Sequence, residues 1–131
     1  MSDLTLDRIR SIGGIVTAKT EPREITWKGT DPATGERTEY THTVEVRRMA
    51  FGWIDRAMRE ARSAANGHDE QRSVNAALIA GGILFGGESL AYEDALQLEP
   101  SLANELLRAF YIVNGMREPV EAEAEEQPAK N

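Results

Sequence analysis

Two histidines, His42 and His68, are the side chains of this 131-residue chain best placed to move a proton near neutral pH. There is no cysteine. Disulfides, thiolate zinc sites, iron–sulfur clusters and a cysteine nucleophile are therefore excluded, and any metal site would be mostly carboxylate. His42 alternates with Tyr40, Val44 and Val46 along a strand-like run. A general base or a ligand is one reading of it. A hydrogen-bonded histidine at the edge of a small core is the reading preferred, because nothing in the spacing supplies a partner. His68 lies in Asn66-Gly67-His68-Asp69, between two helical patterns, and reads as an exposed loop residue. No G-x-S-x-G marks a serine nucleophile. Glu93 and Asp94 are adjacent, so on a helix they point about 100° apart and do not converge. They read as a solvated first turn favoured by the helix dipole.

The glycine pairs Gly81-Gly82 and Gly86-Gly87 do not make a phosphate loop. Gly82 is followed by Ile83-Leu84-Phe85, no lysine follows, and Glu88 would repel a phosphate. They read as turns and helix stops. Arg47, Arg48, Arg56, Arg59 and Arg62 form a local basic group, but Glu45, Asp55 and Glu60 are interleaved. A nucleic-acid patch is the sharper reading. A salt-bridged solvent face is preferred, with a face for an acidic partner or for the chain's own acidic tail between the two. The net charge of −7 opposes binding to phosphate backbones and anionic membranes. No apolar run approaches the ~18 residues that span a bilayer. Met1-Ser2-Asp3-Leu4-Thr5-Leu6-Asp7 lacks the basic-then-apolar order of a secretory signal, so the expectation is a cytoplasmic protein that binds no nucleic acid and no membrane. No cofactor or metal is expected. Catalysis finds no support, and an interaction protein is the better class; a small α+β enzyme is the weakest of the alternatives.

The elements that position these residues follow from periodicity. Leu4, Leu6, Ile9 and Ile12 approach helical spacing before Gly13-Gly14. Ile25 and Trp27 alternate, a turn-forming cluster runs from Thr30 to Glu36, and alternation resumes to Arg48. This predicts a hairpin over about 24–48, with Trp27, Tyr40, Val44 and Val46 turned toward helices, since an isolated hairpin is marginal in water. Helices are predicted over about 50–65, 70–81, 92–98 and 101–114, with Asp69 capping the second and Gly115 stopping the last. Ile83-Leu84-Phe85 is a short apolar stretch closing in a turn. The fold class is α+β, helices dominant, in a single folded domain over 1–116. Residues 117–131 carry five Glu and no apolar anchor after Val120, and read as a flexible acidic tail. The last helix is apolar around most of its circumference. Leu106, Leu107, Phe110, Tyr111 and Ile112 exceed one core stripe, which predicts a partner-binding face.

Three segments together carry a resemblance. They are Glu24-Ile25-Thr26-Trp27-Lys28-Gly29; Thr43-Val44-Glu45-Val46-Arg47-Arg48-Met49; and the run from Leu84 through Gly86-Gly87-Glu88-Ser89-Leu90 to Leu98, followed by Pro100-Ser101-Leu102-Ala103 and Val113-Asn114-Gly115. Over about residues 4–116 the chain resembles the tail assembly chaperones of long, flexible-tailed bacteriophages and related prophages. Ala91 departs from the pattern, where a capping Thr or Ser is expected.

The resemblance implies a non-enzymatic protein of the bacterial host cytoplasm that coats the apolar tape measure protein and is absent from the finished virion. It further implies a longer form made by programmed frameshifting, whose extension recruits the tail tube protein, and self-association on the tape measure. Ala129-Lys130-Asn131 can be encoded by a slippery heptamer. The alternative is a small structural virion protein, a tail-completion or head–tail joining component.

Overall fold

The computed structural model describes residues 3–17, 19–66 and 73–116, with 61–66 as backbone only. In chain order the elements are α1 (Leu6–Ser11), β1 (Thr20–Thr30), β2 (Arg37–Arg47), α2 (Phe51–Asn66), α3 (Val74–Gly82), β3 (Ile83–Phe85), β4 (Glu88–Ser89), α4 (Tyr92–Ala95) and α5 (Pro100–Val113). The architecture is α+β, as the change from period two to helical spacing near residue 49 requires.

β1 and β2 form an antiparallel hairpin whose register runs without a bulge from Thr20↔Arg47 to Thr30↔Arg37. The turn is closed by the Asp31 N–H donating to the Glu36 carbonyl at 2.8 Å, while Asp31 Oδ1 accepts from the Ala33 N–H at 2.7 Å. One face carries Ile25, Trp27, Val44 and Val46 onto the helices. The other is polar and solvated, with Thr26 and Thr41 joined hydroxyl to hydroxyl at 3.0 Å. Alternation along the strand produces this division directly.

The sheet has four strands in the order β1-β2-β3-β4. The short apolar stretch expected to close in a turn does so, and it is itself a third strand, pairing Leu84 with Glu45 and Ile83 with Val46. Three residues are too few to display a period. Gly86 and Gly87 link β3 to β4 with φ of +59° and +88°. A two-residue turn with both residues at positive φ matches the strand twist, and glycine reaches it without strain.

Two helices differ from the expectation, one at its start and one at its end. α3 starts at Val74, not near 70; Ser73 is extended and its hydroxyl accepts from the Ala76 N–H at 3.1 Å. Asp69 and His68 lie outside the described residues, as does the acidic segment 117–131. The helix expected over 92–98 is regular only to Ala95, and its N-cap Ala91 makes no side-chain hydrogen bond. A single turn without a cap has little to hold it open-ended.

The core lies between the inner sheet face and α2, α3 and α5. Phe110, Leu78, Ile79, Ile83, Leu106 and Val46 are its largest fully enclosed side chains. Each contributes about 1.5–3 kcal/mol by leaving water. Asn114 fastens the end of α5 to the β2–α2 junction. Its Oδ1 accepts from the Met49 N–H at 2.6 Å, and its Nδ2 donates to the Arg47 and Phe110 carbonyls at 3.1 and 3.0 Å. The Met116 N–H then returns to the Tyr111 carbonyl and the Gly115 N–H to the Ile112 carbonyl, the bonding pattern of a Schellman stop.

Candidate partner-binding face

α5 enters with Pro100 in its first turn, where the missing N–H is no loss. Its start is tied to β1, the Ser101 hydroxyl accepting from the Lys28 N–H at 2.9 Å. From there it packs on the hairpin along one side and on α3 along another. Two cover layers account for its wide apolar arc. Leu106 and Phe110 are 0% exposed and Tyr111 is 6% exposed. These three are core side chains, so of the five-residue face expected from periodicity only Leu107 and Ile112 are open to solvent. Leu107 remains half-buried, and Ile112 is 52% exposed. Leu107 and Ile112 stand about 140° apart around the helix, so they form two surfaces.

Leu107 lines a groove of about 270 Å³ between α3, α4 and α5. Ala76, Ile79, Leu96, Leu98 and Ala103 complete the apolar lining, and Ser73, Asn75 and Asn104 give it polar positions. Leu96, in the turn after α4, is 52% exposed. Periodicity did not single out Leu96 or Leu98, because they sit where a short helix ends. The available signal was an apolar pair, Leu96 and Leu98, beside Pro100. The arrangement can take apolar side chains from a partner whose own face is uncovered.

A second cleft, also about 270 Å³, lies between the hairpin and the β3–β4 turn, lined by Ile25, Trp27, His42, Val44, Phe85 and Leu102. His42 is exposed there. Its Nδ1 accepts from Trp27 Nε1 at 3.2 Å, and Tyr40 stacks on it with ring centroids 6.1 Å apart. These contacts place His42 in an aromatic row, without a carboxylate partner among the described residues.

In the arginine group, Arg59 pairs with Asp55 at 3.1 Å across one helical turn, an ion pair of the kind a salt-bridged solvent face implies. Arg56 and Glu60 do not bridge; both line a cleft of about 410 Å³ with Trp53 and Gly81. Among the described residues no polar or charged side chain is buried, and no three His, Asp or Glu converge as ion ligands. No helix among them is long and apolar enough to cross a membrane. The geometry presents surfaces for contact.

No curated protein and no solved structure matches the chain. A family model does match, described as phage tail assembly chaperone, TAC, over residues 7–114. That span holds the hairpin, the α3–α4–α5 groove and the Asn114 fastening, and the chain belongs to the phage tail assembly chaperone family.

Proposed function

We propose that this chaperone coats the tape measure protein during tail assembly, holding its apolar helical surface in the α3–α4–α5 groove. The observation that carries the reading is the groove itself, an apolar surface with Leu96 half-exposed and Leu107 on its wall. Long helices with uncovered apolar faces aggregate, and a coat must match that face while presenting charge outward. The charge of −7 supplies the outward side. Ile112 offers a second apolar contact on the far side of α5. Many weak copies along one long partner bind by avidity and still leave when the tube subunits displace them.

In this reading the protein works in the cytoplasm of the bacterial host, in a siphovirus or prophage setting, and is absent from the mature virion. A longer form, made by frameshifting at Ala129-Lys130-Asn131 or nearby, carries an extension that recruits the tail tube protein. Residues 117–131 then act as the tether between the two. The role is one of binding and release, and involves no enzymatic step.

Co-expression tests the central claim. With this chain present, the tape measure protein stays soluble and co-purifies with it; Leu96→Glu together with Leu107→Glu abolishes both while the chain itself remains folded. Mass spectrometry of purified virions is expected to find no copies. Stoichiometric copies there would replace this reading with a structural virion component.

A further inference from the structure

The sheet has two long edges and treats them differently. On β1 the Lys28 N–H leaves the sheet for Ser101 Oγ, so even-numbered β1 residues face outward. That edge is blunted. Pro22 stands at an even position and lacks an N–H, Lys28 adds charge, and α5 covers the far end through Ser101.

The other edge belongs to β2. β3 covers it only at Glu45 and Val46. The register places Thr38, Tyr40 and His42 opposite odd β1 residues, so their backbone groups face β1. Arg37, Glu39, Thr41 and Thr43 therefore direct theirs outward, in phase with Glu45, which pairs with Leu84. Among the described residues no backbone group meets these four. The segment carries no proline and no bulge, two of the devices by which natural sheets close such an edge, and its two charges, Arg37 and Glu39, are opposite in sign.

We propose that this open edge, residues 37–43, pairs with the same edge of a second copy, antiparallel about a two-fold axis at Tyr40. Self-complementarity selects both the occupant and the register. Centred on Tyr40, every outward residue finds an outward partner: Arg37 opposite Thr43 and Glu39 opposite Thr41, each twice by symmetry, which gives about eight backbone hydrogen bonds. No like charges stand directly opposite. Tyr40 meets its own copy and Thr38 meets His42, so the Trp27–Tyr40–His42 aromatic row, with centroids 5.0 and 6.1 Å apart, continues across the joint. Centring on Glu39 opposes two carboxylates. Centring on Thr41 drives the strand residue Arg37 against Glu45, which β3 already occupies, whereas centring on Tyr40 brings only the turn residues Gly35 and Glu36 to that end. The inference stands independently of the tape measure reading.

Sedimentation of the full chain over a micromolar to millimolar series is expected to show a monomer–dimer equilibrium. In hydrogen exchange the amides of Arg37, Glu39, Thr41 and Thr43 slow as the dimer forms, while those of Thr38, Tyr40 and His42 are slow throughout. Thr41→Lys faces Glu39 of the second copy and tightens the dimer; Thr41→Glu faces the same residue and weakens it, each by about two- to thirtyfold over the two equivalent pairs. Both substitutions lose the same exposed bond to Thr26, so they are matched in that respect. A chain monomeric at every concentration overturns the proposal, as does a dimer whose four outward amides still exchange freely. Weakening by both substitutions overturns the register.

Discussion

A Cβ placed on Gly82 would lie 2.5 Å from the ring carbons Cδ2 and Cε2 of Phe110. The last residue of α3 is in this way the floor on which the central ring of the core rests. Phe110 is 0% exposed, so its ring cannot swing out into solvent. Gly82→Ala is expected to destabilise by about 1–3 kcal/mol through overpacking. Helix propensity returns less than about 1 kcal/mol, because position 82 ends the helix. Urea unfolding monitored by circular dichroism measures the difference, and an unchanged midpoint would mean that the ring can move.

Asn114 supplies one acceptor and two donor bonds that join α5 to the end of β2 and to the β2–α2 link. Asn114→Ala leaves the part-buried Met49 N–H unsatisfied and is expected to cost about 1–3 kcal/mol. Asn114→Asp keeps the acceptor but turns its second oxygen toward the Arg47 and Phe110 carbonyls. Repulsion there raises the folded-state pKa of the new carboxyl above its unfolded value of ~3.9. Its stabilising form is thus the protonated one, present below the unfolded pKa and lost as pH rises through the folded pKa. The Asp variant should gain stability relative to Asn114→Ala as pH falls toward that range, in thermal melts run at matched ionic strength.

Ala91 occupies an N-cap without a side-chain acceptor. Ala91→Ser gives the first turn of α4 a side-chain acceptor and is expected to add about 0.5–1 kcal/mol, the lower part of the usual range because the helix is one turn. Serine is preferred to Asp, since Glu93 and Asp94 already crowd negative charge into that turn. A raised melting temperature checks it.

Tyr111→Glu should unfold the chain, because Tyr111 is 6% exposed and packs its ring edge-on to Phe110 at 6.0 Å. Leu107→Glu, on the groove wall, should leave the far-ultraviolet spectrum intact and reduce tape measure solubilisation. Melting curves beside a solubility assay separate the two effects.

Removing residues 118–131 should leave the melting temperature within error, because the Schellman stop and the Asn114 bonds are complete at Met116. A large drop would show that the acidic segment contributes to the fold.

Much of this protein can be read in its residues taken in order. Period two from Thr38 to Arg48 and the Asp31–Gly35 turn signals fix a hairpin with a wet face and a dry face, because side-chain alternation is a property of any extended chain. The helical steps after residue 50, Pro100 at the entry of α5 and Gly115 at its exit are equally local. The chaperone resemblance was likewise carried by short runs, among them the one around Gly86-Gly87. Three matters were decided only by the tertiary structure. Ile83–Phe85 becomes a strand because the end of β2 offers it a partner, and three residues carry no period of their own. The arc of α5 is wide because a sheet and α3 cover different sides of it, so Leu106, Phe110 and Tyr111 are core, while Leu107 joins Leu96 in a groove eleven residues apart in the chain. The two sheet edges differ because an antiparallel register assigns alternate backbone groups to opposite sides. Which side stays open depends on where α5 and β3 come to rest, and that is set by contacts between residues far apart in the sequence.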